Sequence, residues 1–268
     1  MRLRPVAAIV VRQIYLMRSS PTRVLPMIGW VAVDIVLWGF LSRYLNSVAR
    51  GGGIDFIASL LGAVLLWDLF SRIMQGVTMG FLEDVWSRNF LNIFASPMKI
   101  SEYLLGLVLT AIVTSTIGLV AMLVVATLVF GLPLFALGLL LIPFLLVLFL
   151  FGIAFGILAC ALVLRFGPAS EWLVWPIPAM LSPFVGVFYP LATLPGWMRD
   201  IGYALPASYV FENMRRAVAG HGVSALELWI GALLAVTYVA VAALLFGAVY
   251  RYGLRSGLLA RYSAESVA

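Results

Sequence analysis

The chain has 268 residues, 64% of them hydrophobic and only 10% charged, with a mean hydropathy of +1.11 and a formal net charge of +6. No soluble domain could cover so much apolar surface with the polar residues left over, so the composition requires an integral membrane protein. The lone cysteine, Cys160, excludes an intrachain disulfide, and period-two alternation is missing from the apolar runs, which argues against an outer-membrane barrel.

Residues 2 to 19 place Leu3, Val6, Val10, Ile14 and Met17 on one helical face, with Arg4, Arg12 and Arg18 off it. The pattern predicts an amphipathic interfacial helix over residues 1–20, lying along a membrane surface until the chain turns at Ser20-Pro21. No small-residue cleavage site follows a short apolar core, so a removed signal peptide is not expected. A span needs about 20 apolar residues, and six runs qualify: 24–41, 54–71, 103–130, 134–164, 172–194 and 225–250. The expected fold is therefore an all-α polytopic membrane protein with six transmembrane helices, forming a single domain over residues 1–268.

Gly51-Gly52-Gly53 predicts a flexible turn between spans one and two, and Gly131-Leu132-Pro133 a tight one between three and four. Between spans two and three lies E-D-V-W-S-R-N-F-L-N-I-F-A-S-P-M-K, residues 83 to 99. Read as a helix over 83–97, it groups Leu82, Val85, Trp86, Phe90, Ile93 and Phe94 on one face. Glu83, Asp84, Ser87, Arg88 and Asn92 fall on the other, with Asp84 and Arg88 as an i,i+4 ion pair, and Ser96-Pro97 ends the helix. Cys160 lies in an apolar run beside Gly152-x-x-x-Gly156, a spacing that lets another helix approach closely. Span five is interrupted by Pro176, Pro178, Pro183 and Pro190, each of which removes a backbone hydrogen bond. Residues 193–220 then predict two short helices, Gly196 to Ala204 and Ser208 to Ala219, the second capped by the Ser208 hydroxyl and closed by Gly220. Their half-apolar character suits a re-entrant pair on the outer side, with Glu212 and Arg215 as an ion pair fixing it. His221 is expected in a solvated outer loop.

Placing the N-terminus inside puts twelve Lys and Arg residues in the cytosol and five outside, so both termini and the 83–99 segment are assigned to the cytosol, in the inner membrane. The positive charge then reads as topology and contact with anionic lipids, and nucleic acid is not an expected partner. Asp34 and Asp68 lie inside spans one and two, where a carboxylate is costly. Arg72, one turn beyond Asp68, suggests a structural pair there; Asp34 either faces a polar path or pairs across helices. Trp38, Phe40, Tyr44, Trp67 and Phe70 are open to two readings, an aromatic lining or anchoring and lipid-facing packing. The sequence has no metalloprotease His-Glu-x-x-His, no Gly-x-Gly-Asp and no Gly-x-Ser-x-Gly elbow. Its one lysine, Lys99, is followed by Ile100, so the chain carries no conventional P-loop and is not expected to be an enzyme by itself.

E-D-V-W-S-R-N-F-L-N-I-F-A-S-P-M-K-I-S-E-Y-L-L-G, residues 83 to 106, and L-P-A-S-Y-V-F-E-N-M-R, residues 205 to 215, resemble the ABC-2 type permeases, the membrane subunits of ATP-binding-cassette exporters for polysaccharides, nodulation factors and drugs. The second stretch is similar to that family's Pro-x-x-Tyr-x-x-Glu-x-x-Arg pattern, at Pro206, Tyr209, Glu212 and Arg215. The resemblance implies two permease copies paired with two ATPase subunits, which would bind ATP and Mg; no cofactor belongs to this chain. It also implies a coupling helix, with Glu83, Asp84, Arg88, Asn89 and Asn92 facing the ATPase. Around the implied path, Asp34, Trp38, Trp67, Asp68 and Phe184 are the candidate lining, and an amphipathic or hydrophobic substrate is expected. An ion-coupled secondary transporter or channel, or a membrane scaffold subunit, remains open beside this reading.

Overall fold

The computed structural model describes residues 3–19, 21–48, 57–87, 89, 92–93, 96–132 and 138–256, without the side chains of 21–28, 30 and 31. Helix α1 (Leu3–Ser19) is followed by α2 (Pro21–Val48), and a π-helical turn (Ile57–Leu61) leads into α3 (Gly62–Trp86). Helices α4 (Ile100–Phe130) and α5 (Leu141–Phe166) come next, then the short α6 (Glu171–Val174) and α7 (Ile177–Val185). Helices α8 (Gly196–Ala204), α9 (Pro206–Val218) and α10 (Ala225–Ser256) complete the bundle. Among the described residues, four helices are long and apolar enough to cross a membrane: 57–86, 100–130, 138–166 and 225–256.

Helix α3 is the centre of the fold, buried along nearly its whole length. Close approach to it depends on small residues. A β-carbon at Gly152 of α5 would lie 2.9 Å from Ile73 Cβ and 3.0 Å from the Phe70 carbonyl; one at Gly156 would lie 2.8 Å from Val77 Cβ. The partner of the Gly152-x-x-x-Gly156 pair is thus α3, and Cys160, the next residue on that stripe, points its thiol at the Val77 carbonyl. Helix α4 meets α3 from the opposite direction in the chain, with Gly76 against Ala111 and Gly80 against Leu107. Aromatic rings fill the larger gaps: Phe70 stacks on Phe151 at 4.8 Å, and Phe151 meets Tyr238 of α10 edge-on at 5.5 Å. Helix α10 buries only Gly231, Ala235, Ala242, Phe246 and Gly253, a narrow stripe that leaves most of its apolar surface outward, as a lipid-facing helix allows.

The region expected to form an interrupted fifth span is broken at its prolines: Pro176 and Pro178 open α7 afresh and Gly186 ends it at φ +72°. The nine residues of α7 rise only about 14 Å. Other expectations need correction. The second short helix begins at Pro206, not Ser208: proline suits a first helical position, and the Ser208 hydroxyl is buried without a hydrogen-bond partner. Helix α1 buries Val6, Ile9 and Gln13, whereas Leu3 and Ile14, expected on its apolar face, are exposed. Its docking is set by fit, since a β-carbon at Gly106 would lie 2.6 Å from Ile9 and one at Gly80 3.5 Å from Gln13 Nε2. The Gly51–Gly53 turn and Pro133 lie outside the described residues.

Replacing Gly156 with leucine should overpack the α3–α5 seam and destabilise the fold by about 1–3 kcal/mol, read as a lower thermal midpoint of the purified protein in detergent. Gly247→Ala, in open space on α10, should leave that midpoint within error.

Candidate functional site

The charged segment between α3 and α4 organises one end of the bundle. Helix α3 does not stop before it but continues through Glu83 and Asp84 to Trp86, where the Ser87 N–H donates to the Glu83 carbonyl at 3.0 Å. The backbone then turns: the Asn89 N–H donates to Asp84 O at 3.1 Å and the Ile93 N–H to Asn89 O at 3.0 Å. Helix α4 opens at Lys99, whose N–H is accepted by the Glu102 carboxylate at 3.1 Å, the capping arrangement that suits an acidic residue in a first turn. Arg88, Phe90 and Phe94 lie outside the described residues.

Because Asp84 belongs to α3, its side chain points into the bundle. It is fully buried, not on an exposed face, and its ion-pair partner in the structure is Arg12 of α1. Both terminal guanidinium nitrogens of Arg12 donate to the carboxylate, Nη1 to Oδ2 at 3.2 Å and Nη2 to Oδ1, and Tyr103 Oη of α4 donates to Oδ2 at 2.7 Å. One carboxylate therefore ties three helices. Bidentate guanidinium pairing and a phenol donor compensate a carboxylate with no access to water, and without them its burial would be prohibitive. Conversely Trp86, expected on the apolar face, is 47% exposed, since the helical register that turns Asp84 inward turns Trp86 outward. Leu82, Val85 and Ile93 are buried as that face requires, and Ser87, Asn92, Ser96 and Lys99 are exposed polar residues on the connection.

Sequence reasoning placed Arg12 off the apolar face and gave Tyr103 and Gln13 no role. A signal existed: an acidic residue among Phe81, Leu82, Val85 and Trp86, and a polar Gln13 between Val10 and Ile14, are out of place unless each faces a partner.

The candidate path residues make distinct contacts. Asp68 pairs with Arg72 one turn on, as its spacing suggested. Trp67 is enclosed, stacked on Phe70 at 4.4 Å and edge-on to Phe211 at 6.0 Å, so it is core in this fold rather than open lining or a lipid anchor. Asp34 and Trp38 are half-buried on one face of α2, Trp38 stacking on Phe188 at 5.2 Å, and Phe184 of α7 meets Trp197 edge-on at 6.3 Å.

At the other end of the bundle, α9 is pinned by its polar side chains. Glu212 accepts from the Leu191 N–H and from Arg215 Nη2, both at 2.8 Å, while Arg215 Nη1 donates to the Gly186 carbonyl at 2.6 Å. The break after α7 is thereby fastened to α9. Asn213 and Arg216 donate to Glu227 at 3.0 and 2.8 Å, joining α9 to α10. Tyr209 Oη donates to the Tyr203 carbonyl at 2.9 Å, and partial burial, with Tyr203 and Glu227 nearby, raises its pKa above the ordinary phenol value.

Residues 6–218 match the model of the ABC-2 type transporter family. The chain belongs to the ABC-2 type transporter family. Members are membrane transport components, generally not catalytic themselves, and normally pair with an ATPase subunit. The match and the apolar helices make this ABC-2 protein a multi-pass membrane protein. Comparison with curated proteins finds none that matches the chain. The matched region contains the whole Arg12–Asp84–Tyr103 centre and ends with α9.

Removing Arg12 by an Arg12→Ala change leaves a buried carboxylate with one donor, and should cost about 3 kcal/mol or more. Tyr103→Phe should cost about 1–2 kcal/mol. Thermal unfolding in detergent ranks the two, with Arg12→Ala the more damaging.

Proposed function

We propose that this chain is the permease subunit of an ATP-driven exporter, and that the α3–α4 connection is where its ATPase subunit docks. The observation that carries the reading is the buried Arg12–Asp84–Tyr103 centre directly beneath that connection. A displacement applied to the exposed polar residues of the connection reaches α1, α3 and α4 together, because one carboxylate fastens all three. Energy must come from outside the chain, since its single lysine is not in a P-loop context.

In this reading Glu83, Arg88, Asn89 and Asn92 face the ATPase, and Asp84 holds the permease helices from within. Helix α2 and the broken α6–α7 region join the four long apolar helices to make six spans. Both termini and the connection lie in the cytosol, and α8 and α9 form an outer re-entrant pair. The positive-inside distribution of Arg and Lys supports that orientation. Two permease copies, each with its ATPase, enclose the path in the inner membrane. ATP and Mg bind to the ATPase subunits, and the substrate is an amphipathic or hydrophobic molecule such as a lipid-linked glycan, a lipid or a drug-like compound.

Co-purification supplies the test. The chain should retain a P-loop ATPase subunit through detergent extraction, and the paired change Asn89→Ala with Asn92→Ala should weaken that association by about tenfold while the permease remains folded. Transport by the isolated chain on an ion gradient alone would exclude the proposal.

A further inference from the structure

A second set of charged side chains lies within α2 and α3 themselves. Asp34 stands near the middle of the 28-residue α2 and is half-buried. Arg72 of α3 is buried and gives its Nε–H to Asp68. Asp68 and Arg72 form an ion pair, whereas Asp34 has no ion-pair partner among the described residues. The Arg72 guanidinium is thus taken by Asp68, and among the described residues the Asp34 carboxylate is left with a deficit of positive charge.

Two further features bear on what fills that deficit. Ser115 of α4 is 1% exposed, and its hydroxyl has no hydrogen-bond partner. It sits between Ala111, which touches Gly76, and Gly118, where a β-carbon would lie 3.8 Å from Arg72 Cδ. Ser115 thus shares the stripe of α4 that faces α3, with a buried polar atom unused. Trp38 is one helical turn from Asp34 on the same face of α2, half-buried and stacked on Phe188. A carboxylate one turn from an indole is the chemistry that holds organic cations, because the ring face attracts a weakly hydrated positive group while the carboxylate neutralises it.

We propose that Asp34 and Trp38 form a binding site for an organic monocation, an ammonium or similar group carried by the transported molecule. The site deepens the permease reading, on which it rests, by narrowing the substrate to a cationic amphiphile. A hard metal cation fits less well, since it demands about six oxygen ligands and, among the described residues, Asp34 supplies the one unpaired carboxylate of this group. Asp68 is the complementary element: by occupying Arg72 it keeps the guanidinium from turning to Asp34.

The test uses the full chain in lipid nanodiscs and tritiated tetraphenylphosphonium, whose permanent charge separates cation binding from protonation. Dodecylamine, cationic at neutral pH, should displace the probe, whereas dodecanol and dodecanoate should not. Asp34→Asn should weaken binding by roughly tenfold or more, Asp34→Glu should restore most of it, and Trp38→Leu should weaken it without any change of charge. Equal binding by Asp34→Asn and the parent chain, or displacement by dodecanol as effective as by dodecylamine, would overturn the proposal. The charge selectivity is read on the unaltered chain, so the test survives a variant that fails to fold. Binding needs no ATPase, so loss of the cation site and failure of the ABC reading are separate outcomes.

Discussion

A fully buried carboxylate must be paired, and at Asp84 that requirement shapes one whole end of the molecule. Its two donors come from residues 72 positions earlier and 19 positions later in the chain. Arg12 can reach it only if α1 lies across α3 and α4, and this approach is possible because Gly80 and Gly106 leave room for Gln13 and Ile9. Small residues permit the contact and the ion pair specifies its register, so that α1 is packed against α3 and α4 by one face.

The same logic operates at the opposite end with weaker groups. Prolines and Gly186 break the chain after α5, leaving backbone donors and acceptors that no helix satisfies. Glu212 and Arg215 satisfy two of them, at Leu191 and Gly186, from the neighbouring α9. The pair is partly exposed, which makes it easier to open than the Asp84 centre. One end of the fold is thus held by a buried charge and the other by a polar fastening over a broken helix.

Much of this was legible in the sequence, because apolar length and proline placement act locally. The all-helical class, the breaks in the region after α5, the two short helices near residues 196 to 218 and the Asp68–Arg72 pair all follow from spacing along one element. So does the close approach at Gly152 and Gly156, although not the identity of its partner. What spacing could not supply was any choice between elements. Asp84 was expected on an exposed face, yet α3 runs on through residue 84 and offers that carboxylate to Arg12 of α1. Trp67 looked like an interfacial or lining aromatic and is core, because Phe70 and Phe211 close over it. In each case a tertiary contact outweighed a local preference of a few tenths of a kcal/mol.

The central claim is that the Arg12–Asp84 pair transmits the ATPase stroke from the α3–α4 connection to the permease helices. It is tested most directly by a double-mutant cycle read as substrate moved per ATP hydrolysed in the reconstituted complex, with Arg12→Ala, Asp84→Ala and both changes together. If the pair is the link, each single change lowers that ratio and the double change lowers it no further than the worse single. Losses that simply multiply, or a ratio unchanged by either replacement in a folded complex, would contradict the account.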